Sequence, residues 1–156
     1  AVKLGVFMFN VHSLGGSDMM KKAVEGAEEE SQKSGISRPR VLGVTVLTSM
    51  DERSLKETGI GRHPGEQVLK LAELAKKAGL DGVVASPRET ADIRKRSGQD
   101  FLIVTPGIRP EDSEKQDQKR TATPKEAAGS GADYIVIGRP VTKAKDPVAA
   151  IKNLLL

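Results

Sequence analysis

Five short apolar runs punctuate the chain, at 4–12, 41–50, 82–86, 101–106 and 134–140. Each is nearly continuous in hydrophobic residues and rich in β-branched ones, where a half-exposed strand would alternate apolar with polar. That is how strands covered on both faces of a parallel sheet read. Helical spacing fills the intervals. Residues 17–34 set Met19, Met20, Ala23, Val24 and Ala27 on a helical repeat, open with Ser17 and Asp18 as candidate caps, and stop before Gly35. Residues 64–78 place Val68, Leu71, Ala72, Ala75 and Ala78 on one face and end at Gly79, where a left-handed C-cap is expected. Three further helices are predicted at 88–96, 124–129 and 146–155, the last two with proline at or near the first turn. The order is β-α five times over, which implies parallel strands joined by right-handed crossovers. No linker or low-complexity stretch divides the 156 residues, so residues 1–156 are expected to form a single domain.

Composition narrows the function classes. Hydrophobic residues at 37% and charged residues at 29% are the mixture of an ordinary globular protein. With no Trp, one Tyr and three Phe there is little material for stacking on nucleobases. The formal charge of +4 is spread over basic residues that alternate with acidic ones, so a solvated mixed surface is expected and no nucleic-acid partner. The absence of cysteine excludes disulfides and thiolate metal sites, and His12 and His63 are too few for a histidine cage. No apolar stretch approaches the ~20 residues of a membrane span, and the start "AVKLGVFMFNVH" reads as a strand, not as a signal peptide. A cytoplasmic protein without a metal or membrane partner is the expectation.

Two of the predicted strands finish alike, one in "TPGIRP" and the other in "IGRP". A strand that only fills a core needs neither glycine nor arginine at its end. Two α/β architectures suit the element order, an open doubly wound sheet and part of a closed eight-stranded barrel. The open sheet would announce a nucleotide with a glycine-rich turn after its first strand, and "NVHSLGGSD" has Gly15 and Gly16 but no G-x-G-x-x-G. In the barrel, phosphate is frequently held by the loops after the last two strands. Gly107 and Gly138 then allow the backbone close to an anion, while Arg109 and Arg139 supply charge-assisted hydrogen bonds. The plain alternative is two tight turns with two surface arginines.

The stretches "VTVLTSM", "GLDGVVASP", "VTPGIRP" with the following "DQKR", and "DYIVIGRPVT" closely resemble the orotidine 5'-phosphate decarboxylase family of the bacterial type. The resemblance covers essentially the whole chain, including "NVHSLGG". It implies an α/β TIM (β/α)8 barrel of which about the last five βα units are present here. It also implies a homodimer with its active site at the subunit interface, and conversion of orotidine 5'-phosphate to UMP and carbon dioxide with no metal or organic cofactor. Matched residue by residue, Thr48 is expected to contact the pyrimidine and Pro106 to pack near the ring. Arg109 is expected to bind substrate, Gln118 to reach the phosphate from a mobile loop over 111–119, and Gly138 with Arg139 to hold the phosphodianion.

The same resemblance implies an Asp-x-Lys-x-x-Asp segment whose lysine protonates the ring carbon, and no such segment occurs in residues 1–156. "NVHSLGG" looks like the end of the family's fourth strand, so three βα units, about 80–90 residues, are expected ahead of Ala1. This chain by itself is expected to be inactive and not a comfortable monomer, because an open barrel exposes strand edges and apolar faces: either the parent polypeptide is longer, or the piece completes its core by association or swapping. Lys115, Lys119 and Lys143 read as solvated cations, His12 as a structural neighbour of the site, and His63 as loop. Two other readings stay open. One is a related sugar-phosphate decarboxylase barrel, such as the 3-keto-gulonate-phosphate decarboxylases; the other is a catalytically inactive half-barrel that binds phosphate.

Overall fold

A computed structural model describes residues 1–109 and 121–155. Five parallel strands, β1 (Met8–His12), β2 (Arg40–Val44), β3 (Gly82–Val84), β4 (Leu102–Thr105) and β5 (Tyr134–Ile135), lie side by side in chain order. Helix α1 (Gly16–Ser34) joins β1 to β2, α2 (Glu52–Glu57) and α3 (Pro64–Lys77) join β2 to β3, α4 (Thr90–Ser97) leads to β4 and α5 (Pro124–Gly129) to β5. Two more, α6 (Arg139–Thr142) and α7 (Pro147–Leu155), follow β5. Strand order decides between the two architectures. A doubly wound sheet reverses its order at a switch point, whereas these strands advance in one direction only, as in a barrel. The sheet also curls: Phe7, just ahead of β1, meets Tyr134 of β5 edge to face with ring centroids 5.9 Å apart, although three strands separate them.

Register and alternation assign the two faces. Phe9, Val41, Val83 and Ile103 share the face that carries the helices, where they meet Met20 of α1, Val68 and Ala75 of α3, and Ile93 of α4 in one cluster. Asn10, His12, Leu42, Val44, Val84 and Val104 take the opposite, concave face. The expectation of burial on both faces holds for β2 and β4, whereas Asn10 and His12 of the outer strand β1 are exposed. Every apolar position predicted for α3 is buried, and Gly79 adopts a left-handed φ of 85° just past the helix end. Large apolar side chains exposed at the outer strands and beyond include Phe7, Tyr134, Val136, Val148 and Ile151.

Several boundaries differ from the sequence pattern, each for a local reason. The run 4–12 is cut by Gly5, whose φ of 62° closes a single 3-10 turn over Val2–Leu4, so the strand starts at Met8. Ser17 and Asp18 do not cap α1: the 3-10 turn Ser13–Gly15 runs straight into the helix, its N-cap is Gly15, and Asp18 sits in the first turn, where its charge favours the helix dipole. The run 41–50 ends as strand at Val44. Beyond it Asp51 accepts the Ser54 N–H at 2.9 Å and nucleates α2, a helix the apolar pattern does not show. The run 134–140 is strand only at Tyr134–Ile135, because Pro140 has no N–H for a ladder and serves instead in the first turn of α6.

Two close fits set the sheet's geometry. Gly82 of β3 lies so near β4 that an added Cβ would run into the Leu102 carbonyl. Asp81, at the entry to β3, accepts the Val41 N–H at 2.7 Å and a two-pronged guanidinium contact from Arg38 at 2.7 and 2.9 Å. Burial pushes the Asp81 carboxyl up, but the Arg38 and Val41 hydrogen bonds outweigh it and hold the group below the usual carboxylate range.

Gly82→Ala is predicted to lower unfolding free energy by about 1–3 kcal/mol in a urea titration, through overpacking between β3 and β4. A carboxyl depressed in the folded state stabilises above its unfolded pKa near 4 and loses that contribution as pH falls below it. Asp81→Asn is therefore expected to be about 1–3 kcal/mol less stable at pH 7. Its stability should also fall less steeply than wild type between about pH 5 and pH 3. Parallel pH profiles for the two proteins contradict the assignment.

Candidate functional site at the strand ends

Because all the strands are parallel, their C-terminal ends open onto one side of the sheet, and the predicted site residues must be found there or not at all. From the end of β4 the chain passes through Pro106 and turns at Gly107, whose φ of 78° is a left-handed conformation that glycine adopts without strain. Ile108 is fully buried and pins the turn. The Arg109 N–H donates to the Ala122 carbonyl at 2.9 Å, so the backbone on the two sides of 110–120 is tied together at its base. The Arg109 side chain is itself buried, with Nη1 donating to the Ile108 carbonyl at 2.8 Å.

From β5 the chain reaches Gly138, whose carbonyl accepts the N–H groups of Val141 and Thr142 at 2.9 and 3.0 Å and so starts the short α6 with Arg139 as its first residue. Gly138 is exposed, and nothing among the described residues lies within 4 Å of where a Cβ would stand. Pro106 and Arg109 thus leave the end of one strand, and Gly138 with Arg139 follow its immediate neighbour. Thr48 lies in the loop after β2, buried, with β3 between it and β4.

Gln118, with Lys115 and Lys119, lies outside the described residues. His12 is the last residue of β1, with its ring exposed, and Lys143 is the exposed C-cap of α6. His63, read as loop, caps α3 through Nδ1, which accepts the Gly65 N–H at 3.3 Å. Among the described residues there is no group of three His, Asp or Glu able to hold a metal, and no helix is long and apolar enough to cross a membrane.

Sequence reasoning missed a set of buried polar groups at the same side of the sheet. Ser13, Thr45, Ser86, Glu89, Thr90 and Thr105 are all buried, and all lie at strand ends, in the turns just beyond them or at the start of α4. The Thr45 hydroxyl donates to the Val84 carbonyl at 2.9 Å and that of Thr90 to the Ser86 carbonyl at 3.1 Å. Thr90 and Thr105 hydroxyls are 3.4 Å apart, and since Thr90 has spent its proton on Ser86, Thr105 is the donor between them. The available signal was a serine or threonine in or just past four of the five apolar runs, at Ser13, Thr45, Ser86 and Thr105. Backbone N–H groups and two guanidinium groups at neighbouring strand ends make an arrangement suited to an oxyanion such as a phosphate ester.

The chain is similar to known proteins over nearly its whole length. Residues 1–154 match the family model described as "Orotidine 5'-phosphate decarboxylase / HUMPS family". The orotidine 5'-phosphate decarboxylase of Pseudoalteromonas atlantica is 54% identical over 151 residues, which is 97% of this chain and 64% of that protein. The enzyme of Geotalea daltonii is 53% identical over 155 residues, with 99% and 64% covered. The chain therefore spans about 64% of the length of these curated relatives. A crystal structure of orotidine 5'-phosphate decarboxylase from Lactobacillus acidophilus superposes with a TM-score of 0.83 at 43% identity, over 99% of this chain and 64% of that one. Five parallel strands in barrel order, paired turns at the ends of β4 and β5, and a family model matched over nearly every residue lead to one conclusion: the chain belongs to the orotidine 5'-phosphate decarboxylase / HUMPS family.

Proposed function

We propose that the protein decarboxylates orotidine 5'-phosphate to UMP and carbon dioxide, and that these residues supply its phosphate grip and part of its pyrimidine pocket. The observation that carries this is the adjacency of two glycine-arginine turns on neighbouring strand ends, in a chain about half identical to proteins bearing that enzyme's name. In the proposal the Gly138 N–H and the Arg139 guanidinium hold the phosphodianion, and Arg109 contributes a second cation. Pro106 packs beside the ring, and Thr48 hydrogen-bonds the pyrimidine. Loss of carbon dioxide leaves negative charge on a ring carbon. A tight hold on the remote phosphate can be used to stabilise that state more than the substrate. Residues 1–156 contain no Asp-x-Lys-x-x-Asp segment, and the proposal gives no side chain described above the part of proton donor. A homodimer is part of the same proposal.

A sugar-phosphate reaction is the second reading, favoured by a family description that covers more than one activity. Inhibition by UMP and not by a 3-keto sugar phosphate supports the first, and the reverse pattern supports the second. Arg139→Ala is predicted to lower kcat/KM for orotidine 5'-phosphate by the equivalent of about 2–5 kcal/mol, as for truncation of one partner of a charge-assisted contact. An unchanged kcat/KM contradicts the phosphate assignment.

A further inference from the structure

Only two ladder pairs join β4 to β5, Val104 with Tyr134 and Thr105 with Ile135. A ladder that short specifies its register weakly. Yet the two halves of the site hang from these two strands, Gly107 two residues past Thr105 and Gly138 three past Ile135. What holds them level lies at the opposite end of the sheet. Asp133, immediately before β5, donates its N–H to the Ile103 carbonyl at 2.9 Å and accepts the Ile103 N–H on Oδ2 at 2.7 Å. Arg94 of α4 holds that carboxylate through Nη2 at 2.6 Å. The same guanidinium donates to the carbonyls of Gly98, Phe101 and Gly131 at 2.8, 2.9 and 2.9 Å. One largely buried side chain thus ties the end of α4, the entry to β4 and the entry to β5 together.

The device occurs twice. Asp81 donates its N–H to Val41 at 2.9 Å and accepts the Val41 N–H at 2.7 Å, with Arg38 in the place of Arg94. Both copies are written as glycine, any residue, aspartate, at Gly79–Asp81 and Gly131–Asp133, and both glycines are left-handed, with φ of 85° and 96°. The copy at β2 and β3 is backed by a ladder of three pairs and neither strand ends in a glycine-arginine turn. The copy at β4 and β5 is backed by a shorter ladder and ends in both turns.

We propose that Arg94 and Asp133 are positioning residues for the phosphate site: they fix the register of β5 against β4 and so the height of Gly138–Arg139 relative to Pro106–Arg109. The proposal rests on the assignment of both turns to one phosphate. A slip of one residue moves a strand by about 3.3 Å and turns its side chains to the other face. A misplacement of about 1 Å already costs on the order of 100-fold in a positioned reaction. Neither residue reaches the ligand, since the length of β5 lies between Asp133 and Gly138.

Asp133→Ala and Asp81→Ala in the full-length protein separate positioning from plain stability. UMP affinity is measured by calorimetry and amide protection by hydrogen exchange. Asp133→Ala is expected to weaken UMP about tenfold or more and to speed exchange at the Val136 amide, which donates to the Thr105 carbonyl at 2.9 Å. Asp81→Ala is expected to lose stability while UMP affinity stays within about twofold. If Asp133→Ala folds, binds UMP like wild type and keeps Val136 protected, the positioning role is overturned. Arg94→Lys, which keeps the charge and loses the fork, gives the same readouts if Asp133→Ala does not fold. Failure of wild type to bind UMP contradicts the functional assignment separately, and exchange at Val136, which needs no ligand, then decides the register claim alone.

Discussion

Parallel pairing is the constraint from which the rest of this molecule follows. Each strand is joined to the next through helix, and the buried helical residues meet the sheet on a single face, so every strand runs in the same direction and advances the sheet by one position. Direction then decides location. Whatever follows a strand emerges on one side of the sheet, and whatever precedes it emerges on the other. The two glycine-arginine turns, the buried hydroxyls and short α6 gather on the first side, and the two aspartate-arginine clamps on the second. The curl that brings Phe7 to Tyr134 turns this linear order into the concave face of a barrel.

This separation lets stability and binding use different residues. On the entry side, carboxylates accept strand N–H groups that have no ladder partner there, and their charge is balanced by an arginine. Such groups hold register. On the exit side the proposed function puts the opposite demand on the polar groups, because a site for an anion must keep donors available. Two of the hydroxyls there donate to carbonyls at or just past the end of β3, Thr45 to Val84 and Thr90 to Ser86, which stiffens the strand exits without using the exposed peptide of Gly138.

The parts readable from sequence were those with a local period. Helix α3 shows this best: all five of its predicted core positions are buried, and its C-terminal glycine has the expected conformation. Strand centres were equally visible, and their ends were not, because Gly5, Pro140 and the cap at Asp51 act through single-residue conformations that an apolar run does not register. Gly107, Arg109, Gly138 and Arg139 could be picked out since two apolar runs end alike, and the structure sets them just after neighbouring strands. The clamps went unseen for a different reason. Arg38 is 43 residues from Asp81 and Arg94 is 39 from Asp133, separations at which a pair of surface-looking charges leaves no periodic trace. Family resemblance added what neither period nor spacing contains, the substrate that the proposed function names.

A crystal structure of the full-length protein with UMP tests the central claim most directly. The account predicts the phosphate between the two turns, within hydrogen-bond distance of the Gly138 N–H and the Arg139 guanidinium, with Pro106 against the pyrimidine and the β4–β5 register as described. A phosphate bound elsewhere on the sheet, or on these turns with β5 shifted along β4, would contradict it.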